Sequence, residues 1–264
     1  MWVLRGLRNG VLTTRWPARP DDYASAARGP ATVLAPRAVG GDDLPGLCPV
    51  GAISSGPLRI DKGGCILCGR CVAARPDLFG WSPGPAQATL TRTGLVVPAE
   101  ETEESLAAVT AALRARTTAL RRSVHLRHVD AGSDGSEEWE ILALLNPVYD
   151  IHRLGLFFTA SPRHADVLLV TGAGGHGMAG PLRTTYEAMP NPKVVIAVGT
   201  DAVSGGIVSP SYATSGGIGG ILPVDVWLPG SPPSPFAILS ALLLALGRLP
   251  KASLDGLPAG GEQN

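Results

Sequence analysis

The chain has 264 residues, enough for two small domains that each bury a core. Its 22 basic and 22 acidic residues give a formal charge of +0, which excludes the broad basic footprint of a nucleic-acid binder. The longest apolar stretch, 236–246, is interrupted by Ser240 and falls short of the roughly 20 residues that cross a bilayer, so any membrane attachment is expected to run through partners.

Residues 1–36 read as an N-terminal docking arm. Four arginines precede Pro20, Trp2 and Trp16 stand among them, and a Pro/Ala/Gly-rich stretch follows Asp21. Such a segment has little core of its own. Because tryptophan is enriched at interfaces, the arm is expected to lie on a partner's surface.

Residues 37–97 hold every cysteine of the chain: Cys48 in a Cys-Pro step, then Cys65, Cys68 and Cys71 in a C-x2-C-x2-C run. That run wraps three corners of a cube while the remote Cys-Pro supplies the fourth, a complete ligand set for one [4Fe–4S] cluster. A structural zinc ion more often uses two separated knuckles, and thiolates at i, i+3 and i+6 would crowd one tetrahedral ion. Disulfides belong to oxidising compartments, and no secretory signal pattern precedes these residues. The spacing therefore favours a cluster in a reducing cytoplasm over either alternative.

A linker helix is expected over 98–122, because Leu106, Val109, Leu113 and Leu120 recur at helical spacing. Glu100, Glu101, Glu103 and Glu104 at its start, with Arg114, Arg116, Arg121 and Arg122 near its end, complement the helix dipole. It reads as a hinge with solvated ends.

Residues 123–250 alternate short apolar strands with helical segments, and 251–264 read as a flexible tail. Strands are expected at 124–129, 156–160, 165–170, 194–198 and 224–228, with helices near 137–145, 178–188 and 235–248. The alternation predicts a doubly wound parallel sheet of flavodoxin-like kind behind a smaller α+β domain, an α/β chain overall. Ligands of such sheets sit beyond the carboxyl ends of the strands, near Asp130, Thr171, Gly199 and Pro229. The stretch Gly172 to Gly177 fits G-x-G-x-x-G between a strand and a helix. Those glycines equally suit a loop that closes over space beside the sheet, and NAD(P) binding is not expected.

The segment Cys48-Pro49-Val50-Gly51-Ala52-Ile53, with Ile60-Asp61, the triple-cysteine run and Arg75-Pro76, resembles a bacterial two-cluster ferredoxin. The resemblance places the ligands of a second cube at Ala38, Gly41, Leu44 and Arg75, and none of these is a cysteine. One cube is thus lost as a set and one kept.

A second resemblance rests on 145–151, Ala160 to Gly172, Pro181-Leu182-Arg183, 185–190, 195–199 and Leu222 to Gly230. This half is similar to the B subunit of NADH:quinone oxidoreductase and to the small subunit of formate-hydrogenlyase-type, membrane-bound [NiFe] hydrogenases. The chain resembles a fusion of that subunit with a ferredoxin-like neighbour. The family's own cluster ligands fall on Asp134, Glu137, Asp201 and Ser231, so all four thiolates are absent. Three readings of that quartet stay open: a vacated site refilled with polar groups, a hard-cation site made of oxygen ligands, and a proton-handling set of carboxylates.

The resemblances imply an iron–sulfur electron-transfer subunit with one [4Fe–4S] cluster on Cys48, Cys65, Cys68 and Cys71. They imply no complete catalytic site within the chain. Expected partners are a hydrogenase-like or complex I-like large subunit and membrane subunits, at the cytoplasmic face of the cell membrane. The alternatives are a non-redox scaffold capping an ion-translocating membrane arm and, more weakly, an NAD(P)-binding oxidoreductase.

Overall fold

The computed structural model describes residues 2–35, 43–99, 101–120, 123–209 and 211–249. The expected tail and the vacated positions Ala38 and Gly41 lie outside the described residues.

Helix α1 (Trp2–Asn9) and the short α2 (Asp22–Ala26) precede strand β1 (Arg28–Val33). Next come β2 (Ile53–Ser54), β3 (Arg59–Asp61), α3 (Arg70–Ala74), β4 (Phe79–Pro83) and β5 (Val96–Val97). β1 pairs antiparallel with β4, setting Ala31 opposite Trp81 and Val33 opposite Phe79, while β2, β3 and β5 form a three-stranded antiparallel sheet. Leu44, Leu58, Ile60 and Phe79 fill the space between these sheets, and Cys65 and Cys71 belong to the same buried cluster. Leu44, at one position of the lost cube, is therefore a core residue. Arg75, at another, ion-pairs with Asp77 at the surface.

The stretch 1–36, expected to lie on a partner, is held partly by the chain itself. Trp16 is 7% exposed and meets Phe236 edge-on at 5.7 Å. The Thr14 amide donates to the Val148 carbonyl at 2.8 Å, and Arg153 donates to the Trp16 carbonyl. The Trp16 ring thus fills an apolar gap in its own molecule, which corrects its reading as an interface residue.

Helix α4 (Glu103–Thr117) begins at Thr102, whose hydroxyl caps the Ser105 amide, and it buries Leu113 and Thr117, with Leu120 buried just beyond its end. Leu106 remains exposed and Arg116 pairs with Asp225, so α4 lies against the second half of the chain.

The remaining elements are β6 (Val124–Asp130), α5 (Ser136–Ala143), β7 (Leu156–Phe158), β8 (Val167–Thr171), α6 (His176–Ala188), β9 (Val194–Val198), α7 (Gly199–Ser204), β10 (Val226–Leu228) and α8 (Pro235–Ala245). The five strands are parallel in the order β10-β9-β8-β6-β7, so the mixed α/β expectation and its flavodoxin-like sheet hold. Both faces are covered: Val167 and Leu169 point to the α5 and α8 side, Leu168 and Val170 to the α6 and α7 side. That double burial is why β8 and β9 read as unbroken apolar runs. Helix α8 is apolar on nearly every side because the core surrounds it, and its 11 residues are too short to span a bilayer. No helix among the described residues is long and apolar enough to cross a membrane.

Strand β6 lies inside the sheet although first in its half, with the edge strand β7 on one side and β8 on the other. The chain changes winding direction there. Such a switch point opens a crevice at the carboxyl ends of the strands, where the loops after β6, β8, β9 and β10 meet.

Candidate functional site

The four cysteines come from three local devices. Cys48 follows the 3-10 turn Pro45–Leu47, and its sulfur accepts the Ala52 amide at 3.2 Å. Cys65 follows the 3-10 turn Lys62–Gly64, which Asp61 caps by accepting the Gly63 amide at 2.9 Å. Arg92 holds that carboxylate in a two-pronged pair, at 2.8 and 2.6 Å. Leu67 and Gly69 then take left-handed backbone angles, φ 59° and 73°, turning the chain so that Cys71 enters the first turn of α3.

The thiols lie close enough to act on one another. Burial raises the pKa of Cys65 above the ordinary thiol value, and Cys48 and Cys68 push it further. Cys71 is raised by burial and by its three neighbours. The Ala31 amide donates to the Cys65 sulfur at 3.5 Å, and the Leu67 and Val72 amides favour the charged forms of Cys65 and Cys71. A cationic centre is what makes such crowded thiolates tolerable. All four cysteines are free of disulfides.

Among the described residues no three His, Cys, Asp or Glu side chains converge to hold one metal ion. A cube presents separate irons to its four thiolates, so its ligands need not meet at a point. Four cysteine thiolates at this spacing are the donor set a [4Fe–4S] cluster takes.

The second group sits at the switch-point crevice. Asp134 is exposed in the loop after β6; it accepts the Ser136 amide at 2.9 Å, and bonding to Ser136 holds its carboxyl below the usual range. Glu137 is 1% exposed, and burial, aided by the charges of Asp201 and Asp134, pushes its pKa up to about 7. Asp201, in the first turn of α7, is raised by burial and by Asp134 and Glu138. Ser231 follows Gly230, which is tied to α7: the Thr200 amide donates to the Gly230 carbonyl at 2.7 Å, and the Gly230 amide donates to the Thr200 hydroxyl at 3.2 Å. The structure thus gathers the three acids and places Ser231 on the adjoining segment.

Glycine makes room for these carboxyls. A Cβ on Gly199, at φ 91°, would stand 2.4 Å from Glu137 Oε1, and one on Gly206 would stand 1.8 Å from Asp201 Oδ1. Oxygen donors of this kind do not suit a soft iron–sulfide cube, and the Glu137 side chain occupies the space against Gly199. The quartet's oxygen donors do not fit an iron–sulfide cluster.

Sequence reasoning passed over three features here. Thr200 is fully buried and donates its hydroxyl to the Cys65 carbonyl at 2.9 Å, joining the two groups. Glu138 accepts the Ser133 hydroxyl at 2.8 Å and that of Thr171. His128 Nε2 lies 3.0 Å from the Thr171 hydroxyl, and burial lowers its pKa, favouring the neutral ring. His128 and Thr171 lie on adjacent strands, a proximity that only the pairing of β6 with β8 reveals.

The glycine loop of 172–177 spends its polar groups inside the chain. Gly175 donates to Ala131 at 2.8 Å and His176 to Ala213 at 2.9 Å, so the amides that would cradle a pyrophosphate are engaged. A Cβ on Gly172 would strike Gly132 and Ser133, and one on Gly174 would strike the Gly217 carbonyl. Close chain crossings account for these two glycines.

The profile of the family described as NADH ubiquinone oxidoreductase, 20 Kd subunit, matches residues 135–245. Formate hydrogenlyase subunit 7 of Escherichia coli is 40% identical over 156 residues, covering 59% of this chain and 60% of that protein. Probable membrane-bound hydrogenase subunit mbhJ of Pyrococcus furiosus is 42% identical over 146 residues, 55% of this chain and 87% of its own. Among solved structures, an archaeal membrane-bound sulfane sulfur reductase contains a chain 26% identical, with a TM-score of 0.43 over 55% of this chain and 90% of that one.

Proposed function

Because the chain belongs to the family of the NADH ubiquinone oxidoreductase 20 Kd subunit, we propose that it is an iron–sulfur subunit of a complex I-like, formate-hydrogenlyase-type oxidoreductase complex at the cytoplasmic face of the membrane. Its partners are a hydrogenase-like large subunit and membrane subunits. The relatives named above are subunits of formate hydrogenlyase and of a membrane-bound hydrogenase, which supports that setting.

The single observation that carries the reading is the meeting of the four thiols at one place: Cys65 and Cys71 sit in a buried cluster with Cys48 packed against it, the exposed Cys68 is near enough to act on both buried thiols, and backbone amides point at the Cys65 and Cys48 sulfurs. Cys48, Cys65, Cys68 and Cys71 would hold one [4Fe–4S] cluster, and when bound that group supplies one-electron transfer. The protein's part is to fix the thiolates, supply amide donors that offset their charge, and keep Lys62 close to Cys65, whose charge opposes the downward pull of burial on the lysine pKa. The segment preceding Cys48 resembles the ferredoxins' first ligand run with Ala38, Gly41 and Leu44 at its other three ligand positions, so this half is read as a ferredoxin-like domain with one centre.

Iron and acid-labile sulfide analysis of anaerobically purified protein tests the reading. About four of each per chain are expected, and about eight, or none, would refute it. The carboxyl of Glu137 in the second half's crevice favours a second reading, a non-redox scaffold, because it leaves that half without a centre of its own. Paramagnetic resonance of the assembled complex distinguishes them: a signal that appears on dithionite reduction but never under the physiological donor assigns the scaffold.

A further inference from the structure

Helix α1 (Trp2–Asn9) stands off the body of the protein: every residue from Val3 to Leu12 is exposed. Val3, Leu4 and Leu7 are 53%, 70% and 76% exposed, an unusual state for aliphatic side chains in a protein that buries so many others. Spacings of three and four put them on one stripe, and Val11 and Leu12 extend the apolar surface past the helix end. Arg8 borders that stripe beside Leu4 and Arg5, three residues before it, lies on the same polar side of the helix, and Arg15 and Arg19 follow, also exposed. No acid occurs before Asp21, so residues 1–20 carry four positive charges in a chain whose formal charge is +0.

The segment is also tethered. Thr13 donates to the Pro147 carbonyl at 2.7 Å, Thr14 is fixed to Val148, and Trp16 is seated against Phe236. The anchor fixes where α1 leaves the surface but covers none of its apolar face.

We infer that α1 lies in the interface of an anionic lipid bilayer, its Val3, Leu4 and Leu7 stripe among the acyl chains and Arg5, Arg8, Arg15 and Arg19 at the phosphates. An apolar stripe edged by arginine, with no acid nearby, complements a surface that is greasy beneath and negative above. Arginine's long stem lets its head stay at the phosphates while the stripe beside it sinks. A protein partner would need its own acidic rim around an apolar groove, whereas anionic lipid offers both everywhere. This contact is direct and separate from attachment through membrane subunits, and it does not depend on a cluster being present.

The test is flotation of the purified full-length chain with protein-free vesicles, either equal parts phosphatidylglycerol and phosphatidylcholine or phosphatidylcholine alone. Partitioning into the anionic vesicles is expected, falling tenfold or more on neutral vesicles or in half-molar salt. Removing both helix arginines, R5A with R8A, should weaken it roughly 30-fold, about fivefold for each charge. The double change L4E with L7E should abolish it, and since both side chains are exposed the fold, checked by circular dichroism, should be unchanged. No binding to anionic vesicles, or binding indifferent to L4E/L7E, overturns the inference. So does an assembled complex in detergent that loses this chain on L4E/L7E while vesicle binding persists, because the stripe then serves a protein.

Discussion

The hydroxyl of Thr200 donates to the carbonyl of Cys65 at 2.9 Å, binding the turn that presents the Cys65 thiol to the helix that presents Asp201. The same oxygen accepts the Gly230 amide at 3.2 Å, so one side chain joins three segments of the chain. Thr200→Val keeps the shape and removes both bonds. A buried carbonyl and a buried amide are then left unpartnered, and stability should fall by about 1–3 kcal/mol, with weakened retention of the proposed cluster's iron. An unchanged denaturation midpoint with full iron content would show that the junction carries no strength.

Gly199 is the place to probe the acidic crevice. Its positive φ disfavours any side chain, and a methyl group there would meet a buried carboxyl that has little room to retreat. Gly199→Ala should cost about 2–4 kcal/mol. Adding Glu137→Ala should recover the part due to the collision and leave the part due to the backbone. Strictly additive losses in that double-mutant cycle would mean the two residues do not touch.

Protonation of Glu137 gives a stability profile of definite sign. The folded chain keeps this proton to about pH 7, while the unfolded chain releases it near 4.5. Between those values the folded state binds more protons, so stability falls as pH rises through the window. Asp201, also raised, acts in the same direction; Asp134, held low, matters only in more acidic solution. Thermal melts should show wild type losing on the order of 2 kcal/mol more than Glu137→Gln between pH 5 and 7.5. Parallel profiles for the two proteins would contradict the burial of that carboxyl.

Trp16→Ala should destabilise the chain by about 3–5 kcal/mol, the usual loss for a large aromatic removed from a core. A mere docking residue, free in the isolated protein, would change the melting temperature little. Calorimetry of the purified chain separates the two.

Much of this was legible in local pattern. The apolar runs of β8 and β9 depend on neighbours in sequence, and the structure places them as read; of the expected helical stripe Leu113 is buried, whereas Leu106 stays exposed and Leu120 is buried only past the helix end. Trp16 was misread because a lone aromatic in a polar arm carries no local sign of the Phe236 ring 220 residues away. Thr200 and His128 escaped for the same reason: Thr200 gains its partners only when α7 packs against the turn before Cys65 and the segment after β10, and His128 only when β8 is laid beside β6. Glu137 was identified through resemblance to a cysteine position, yet its depth and its glycine-lined berth are properties of the packed chain.

Strand β1 precedes every cysteine, yet it supplies the amide of Ala31 to the sulfur of Cys65 and closes a sheet with β4. Anyone dividing the gene into halves would be tempted to begin the first fragment near residue 37. Such a fragment would carry all four sulfurs and still lack a wall of the chamber around them, so a loss of the proposed cluster on trimming would report a missing strand and say nothing about the choice of ligands.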